Sequence, residues 1–390
     1  MIATRLLRRP RVLIVGCGDV GLRCVRLLQS RARLFALTTQ PERRGTLRAA
    51  GVIPLVGDLD VPGSLARLSG LAPTVLHLAP PQKAGDDDLR TRALLAALAT
   101  PRRRVARGTA VPVALARRLQ IPARHARRVP VPRIEAAREA LLVTSAATPR
   151  WAKKVPMVPR SAPAVMAWAR RKTPAIVPEP IPPARRLPTP VRLVYASTTG
   201  VYGDCAGARI DETRPVRPAN DRAKRRVSAE RQLRRAAARG VLAASIARIP
   251  GIYAANRLPL ARLDKGTPAL DDADDVYTSH IHADDLAAIM VRMSTHGRPS
   301  RIVHATDDSE LKMGAYFDRV ADAYGLPRPP RVSRVEAEQV LEPVLLSFMR
   351  ESRRLSNARM THELNVRLRY PTVDDFLREA HARKRSTPVT

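Results

Sequence analysis

The chain has 390 residues, enough for one large or two ordinary domains, and it is 45% hydrophobic but only 3% aromatic, so an aliphatic core is expected. It contains no run of about 18 apolar residues, so no membrane span is expected. The three cysteines form no CxxC pair, which argues against a disulfide framework and suits a reducing cytoplasm. The formal net charge is +34 and is unevenly spread: residues 101–190 hold 20 Lys and Arg against three acids, Glu135, Glu139 and Glu179.

Residues 11–15 form an apolar run too short for the hydrophobic region of a leader peptide and better read as a buried strand. A helical pattern follows over 19–30. Apolar runs at 34–38, 52–56 and 74–78 then alternate with helical stretches at 42–50, 62–68 and 87–99. Such alternation predicts βαβ units and a parallel sheet.

The pattern stops at Pro101. Through Pro190 there are 16 prolines, one glycine and no aspartate, which predicts a largely disordered basic insertion with a short helix near 134–143. Both tryptophans, Trp151 and Trp168, lie in it. Charge and those two rings are the whole case for nucleic-acid binding, which is not expected elsewhere in the chain; a solvated insertion is the plainer reading. Order resumes with a strand at 191–196, a basic helix at 222–239 and a strand at 241–249. Beyond 250, helices are expected at 284–296, 313–324 and 335–354 among short strands.

Gly16-Cys17-Gly18-Asp19-Val20-Gly21 follows the first strand and opens the first helix. In that context the three glycines fit a pyrophosphate-binding turn. Gly16 permits the tight turn, Gly18 lets backbone approach the phosphates, and Gly21 lets the helix pack closely on the strand. The helix N-terminus adds amide donors for an anion. An NAD site would place Asp or Glu about 20 residues downstream for the ribose 2′-hydroxyl. Residues 36–40 have no acid; Thr38 offers a hydroxyl, and Arg43 and Arg44 follow. This favours NADP, with NAD still allowed, although either arginine alone could equally be a solvated helix charge. Asp58, in Gly57-Asp58-Leu59-Asp60, could reach an adenine amine, or Asp58 and Asp60 could cap the next helix.

Tyr195-Ala196-Ser197-Thr198-Thr199-Gly200-Val201-Tyr202-Gly203 resembles the fifth-strand motif of the extended short-chain dehydrogenases/reductases, the NAD-dependent epimerase/dehydratase-like group. Val75-Leu76-His77-Leu78-Ala79 resembles their fourth-strand motif. Arg248-Ile249-Pro250-Gly251-Ile252-Tyr253 and His282-Ala283-Asp284-Asp285-Leu286-Ala287 resemble two later landmarks. With the glycine turn, these occur in family order across residues 11–100 and 191 to about 380. The resemblance implies a hydroxyl on strand five that polarises substrate, at Thr198, unless Thr198 is only a strand-end threonine. It also implies a Tyr-x-x-x-Lys couple one helix later. Lys224 stands near the Lys position or is a solvated helix charge, and residue 220 is Asn where the tyrosine belongs. The chain is therefore similar to an atypical subgroup that keeps dinucleotide binding without the Tyr–Lys couple. His280 is the substitute titratable candidate. His280 and His282 share a strand face, but no third metal ligand has a recognisable spacing, so no metal is expected.

The expected fold is α/β: a doubly wound Rossmann parallel sheet from 1–100 and 191–249, interrupted by 101–190, with a smaller C-terminal α/β substrate domain over 250–390. The expected function is an NAD(P)-binding oxidoreductase or epimerase/dehydratase-like protein acting on a small molecule. The other reading is a non-catalytic NAD(P)-binding redox sensor or regulator. Self-association as a homodimer is left open.

Overall fold

The computed structural model describes residues 9–99 and 190–386. Residues 101–189 of the expected disordered segment lie outside them, as do both tryptophans.

Seven strands form a wholly parallel sheet among the described residues: β1 (Arg11–Val15), β2 (Arg33–Thr38), β3 (Ile53–Val56), β4 (Thr74–His77), β5 (Val191–Thr198), β6 (Leu242–Ile249) and β7 (Ile302–His304). Their spatial order is β7-β6-β5-β4-β1-β2-β3. The chain moves outward from β1 to β3, then returns to the other side of β1 with β4. That reversal opens a crevice at the carboxyl ends of β1 and β4, where open α/β sheets bind ligands. Thr74 through His77 pair with Arg192 through Tyr195, so residues 101–190 are inserted between sheet neighbours.

Helices α1 (Asp19–Leu28), α2 (Arg44–Ala49), α3 (Leu89–Ala99) and α4 (Asp221–Ala238) follow strands β1, β2, β4 and β5. The short α5 (Leu260–Asp264) precedes α6 (Ala283–His296) and α7 (Met313–Tyr324). Alternation in β1 splits the core in two: Val12 and Ile14 pack with Cys24, Leu28 and Met290, while Leu13 and Val15 pack with Leu94, Ala229 and Leu233. Both sheet faces are thus covered, and the core of the sheet is mainly aliphatic, with Phe35 and Tyr195 its rings. Other aromatic rings gather elsewhere. Tyr253, Tyr316, Phe317, Tyr370 and Phe376 make a separate cluster in the C-terminal region.

Two boundaries differ from the sequence reading. Residues 283–304, expected in the second domain, supply α6 and the edge strand β7 to the sheet. Short strands at the ends of long connections carry too little periodicity to be assigned to one sheet from sequence. The single helix expected over 335–354 is instead two, α8 (Arg334–Val340) and α9 (Pro343–Phe348), followed by non-helical chain. Pro343 accounts for the break: it has no N–H to give the preceding turn, and it sits at the first position of α9, where none is needed. The last helices are α10 (Ala358–Leu364) and α11 (Val373–Ser386). Among the described residues no helix is long and apolar enough to cross a membrane.

Candidate functional site

The turn after β1 is shaped by its glycines. Gly16 has φ of +85°, and a Cβ there would lie 2.5 Å from the backbone nitrogen of Ala79 at the end of β4. Only glycine satisfies both demands. A Cβ on Gly21 would lie 3.3 Å from the Gly16 carbonyl oxygen, so α1 packs tightly on the turn. A Cβ on Gly18 would meet nothing within 4 Å. Gly18 also starts α1 without a side-chain cap. Backbone donors at this end are thus left to an external anion.

That open side faces a cavity of about 380 Å³ lined by the glycine turn, Leu37, Thr38, Arg43, Asp58, Leu59, Leu78, Ala79 and Arg90. The cradle fits a dinucleotide: an uncapped helix end, a glycine with free space above it, and a guanidinium at the rim. Arg43 lines the cavity and donates to the Cys17 carbonyl at 3.0 Å. Arg44 is exposed and donates to Pro41, away from the cavity. Thr38 closes its own turn, its hydroxyl accepting from the Gln40 amide at 3.2 Å. Asp58 accepts from the Asp60 amide at 2.9 Å, while Asp60 pairs with Arg90 at 2.6 Å. Asp19 is held by Arg23 and Arg257, and Val20 packs into the core, so neither side chain lines the cavity.

The second half of the site forms where β5 ends. The Thr198 hydroxyl caps the following turn by accepting from the Gly200 amide at 3.3 Å. Asn220, at the position of the missing tyrosine, caps α4 by accepting from the Ala223 amide at 2.9 Å. Lys224 does not reach this region. It is solvent-facing and pairs with Asp221 at 3.0 Å, its amine 3.8 Å from Asp86. Two residues on, about 200° around the helix, Arg226 is the basic side chain turned toward β5. It donates to the Ala196 carbonyl at 2.6 Å and to the Tyr195 hydroxyl at 3.0 Å. Counting Tyr-x-x-x-Lys from Asn220 therefore selects the wrong helix face.

Behind the site lies a buried polar network. Ser197 donates to Glu230 at 2.6 Å, Glu230 pairs with Arg248 at 2.7 Å, and Arg248 donates to the Tyr202 hydroxyl at 2.7 Å. Tyr202 and His304 share a further hydrogen bond at 2.5 Å. These groups hold β5, α4, β6 and β7 together through satisfied partners rather than through a reactive arrangement.

His280 is buried, and burial pushes its pKa down to about 4, so it is neutral at neutral pH. It stacks on Tyr316 with ring centroids 4.3 Å apart, and its Nδ1 has no partner among the described residues. His282 caps α6, its Nδ1 accepting from the Asp284 amide at 3.2 Å. No group of three His, Cys, Asp or Glu side chains suited to a metal occurs among the described residues.

Two residues the sequence reading missed enter here. A Cβ on Gly200 would lie 3.8 Å from Thr198 Oγ1 and 3.9 Å from Glu351 Oε2, so the hydroxyl and the carboxylate border the same space. Glu351 is paired with Arg353 at 2.7 Å, and Asn220 Nδ2 approaches it at 3.5 Å. Both come from the chain after α9, which the expected unbroken helix would have carried elsewhere. Pro343 was the available signal.

Residues 183–305 match the model of the NAD dependent epimerase/dehydratase family. That match spans about a third of the chain and is a similarity to the family. No curated protein sequence matches the chain. Among solved structures, a conserved protein of unknown function from Silicibacter pomeroyi has 22% identity and a TM-score of 0.62, covering 97% of this chain and 100% of its own. DesIV, a dTDP-glucose 4,6-dehydratase from Streptomyces venezuelae solved with NAD bound, has 16% identity and a TM-score of 0.59, over 96% of this chain and 97% of its own. MoeE5, solved with UDP-glucose and NAD, has 16% identity and a TM-score of 0.57, over 97% of this chain and 100% of its own. At such identities the likeness bears on the fold, here the Rossmann sheet with its C-terminal region.

Proposed function

We propose that this chain binds NADP(H) in the cavity above Gly18 and acts as an oxidoreductase or epimerase/dehydratase-like enzyme on a small molecule held against the end of β5. The observation that carries the reading is the glycine turn, with free space above Gly18 at the switch point of the sheet. A bound nicotinamide would supply hydride transfer; the chain supplies position and charge. The amides of Gly18 and the first turn of α1 hold the pyrophosphate, Arg43 meets the 2′-phosphate, and Asp58 takes the adenine amine. Gly16, Gly21, Leu59, Leu78 and Ala79 shape the cradle, while Asp19 and Val20 contribute backbone alone.

Without the Tyr–Lys couple, proton transfer falls to Thr198 and the Glu351 carboxylate that borders the same space. The neutral His280 serves as part of the wall rather than as the acid. The relatives' dTDP-glucose and UDP-glucose are the starting points for a substrate search. NADPH oxidation against a panel of carbonyl compounds and sugar nucleotides is the test. Turnover lost in Thr198→Ala and in Glu351→Gln is expected. NADPH binding without any turnover would favour the second reading, a non-catalytic redox sensor, which the capping role of Asn220 and the outward Lys224 support.

Cofactor choice separates the two arginines. Arg43→Ala is expected to weaken NADPH binding about tenfold or more while leaving NADH unchanged, whereas Arg44→Ala changes neither, as fluorescence titration of the reduced cofactors would report. Equal losses for NADPH and NADH in Arg43→Ala would remove the 2′-phosphate role.

A further inference from the structure

A second cavity, of about 370 Å³, opens beside the ends of β5 and β6, against α5, α7 and α9. The chain has seven Tyr and four Phe. Five of these eleven rings, Tyr253, Tyr277, Tyr316, Phe317 and Phe348, line this one cavity. A protein so poor in aromatics has spent nearly half of its Tyr and Phe on a single concave wall. Flat apolar surface of this kind is suited to a planar ligand body.

The charges on the wall do not cancel. Three guanidinium groups line it: Arg257, Arg262 and Arg353. Arg257 is neutralised by Asp19 at 2.7 Å, and Arg353 by Glu351 at 2.7 Å, the lone acid of the lining. Arg262 forms no ion pair among the described residues. Its Nη2 donates to the Pro268 carbonyl at 2.6 Å, its guanidinium lies 4.6 Å from the Phe317 ring centroid, and its buried Nε has no hydrogen-bond partner. Burial holds its pKa below the ordinary arginine value, with no anion to offset the cost. A half-buried cation without a counter-ion carries a cost to the fold, and an anion placed beside it would recover part of that cost. Thr278 Oγ1 and His280 Nδ1, on the same lining, also lack partners.

We propose that this cavity binds a small planar monoanion of the aromatic or conjugated carboxylate class, its carboxylate on Arg262 and its flat body against Tyr316, Phe317 and Phe348. One uncompensated guanidinium calls for one negative charge, and its forked donors match a carboxylate. The assignment rests on the reading above, in which this cavity is the substrate side of a dinucleotide-binding protein.

The test is titration calorimetry on the full chain, with and without NADP⁺, using cinnamate, its neutral isostere cinnamamide, and inorganic phosphate. NADPH is titrated separately by its own fluorescence. Cinnamate is expected to bind, cinnamamide about tenfold or more weakly, and phosphate not at all. Arg262→Gln should lose cinnamate by a similar factor while keeping NADPH. Phe348→Leu, at the exposed mouth of the cavity, should weaken cinnamate and cinnamamide alike, and serves if Arg262→Gln does not fold. Equal affinity for acid and amide would overturn the charge assignment. Phosphate competing as well as cinnamate would overturn the planar one. Absence of cinnamate binding at millimolar concentration, with NADPH still bound, would overturn the proposal. Absence of NADPH binding in the wild-type protein would instead overturn the reading on which it rests.

Discussion

Gly18→Val is expected to abolish NADPH binding, by about 100-fold or more, without changing the thermal midpoint. The two halves of that expectation come from one observation. A Cβ at residue 18 meets no protein atom within 4 Å, so the folded chain accommodates the branch freely. The same empty space is where the pyrophosphate has to approach the amides of α1, so the branch occupies ligand volume. Gly16→Ala should behave in the opposite way. Residue 16 has φ of +85°, and its Cβ would be 2.5 Å from the Ala79 nitrogen, so the substitution strains β1 against β4. It should lower stability by on the order of 2–4 kcal/mol whether or not cofactor is present. Calorimetric titration beside thermal unfolding of both variants separates the effects. Unchanged NADPH affinity in Gly18→Val would withdraw the cofactor site from this turn.

Much of the sheet could be read from residue pattern because parallel strands covered on both faces are near-continuous apolar runs. Val12 through Val15 is one such run, and its two faces enter two different cores. The glycine turn was legible for a related reason: its residue types answer to backbone constraints that are local. What the pattern could not supply was direction around a helix and the course of chain between elements. Lys224 and Arg226 are both basic residues of α4, and only packing decides which of them turns toward β5. Arg43 and Arg44 are equivalent as letters, yet one lines the cavity and the other faces solvent. Glu351 and Arg353 were invisible because a helical pattern was carried through Pro343, and Arg262 because its lack of a counter-ion is a property of three dimensions alone. The low aromatic content did predict a mainly aliphatic sheet core, in which Phe35 and Tyr195 are the rings. It gave no hint that the few rings present would collect around one cavity.

Stability should fall steeply on acidification between pH 6.5 and about 4, and four histidines are the cause. His77 is held down to about 3, and His280, His282 and His304 to about 4, in each case chiefly because burial disfavours the charged ring. His77 lies against Thr91 and feels Arg226. His280 lies against Tyr316, and His282 lies among Tyr253, Tyr370 and Phe376 with Asp284 and Arg369 near. His304 meets Tyr202, with Arg248 and Arg359 adding to the depression. In the unfolded chain these rings take up protons near pH 6.5; in the fold they do so only near pH 3–4. Over that window the unfolded state binds more protons, so stability present above pH 6.5 is lost as pH falls. Asp307 opposes this. Burial raises its carboxyl to about 8, so the fold keeps a proton there that the unfolded chain releases, and Asp275 and Asp285, also raised by burial, act in the same direction. Four histidine protons outweigh these carboxyl protons, leaving a net loss on the order of 2–3 kcal/mol per pH unit near pH 5.5. Denaturant titrations at pH 7, 6 and 5 measure the slope directly. His304→Asn, which removes one of the four groups, should flatten it by about one proton; a slope that is zero or reversed across this range would contradict the buried neutral assignment of all four rings.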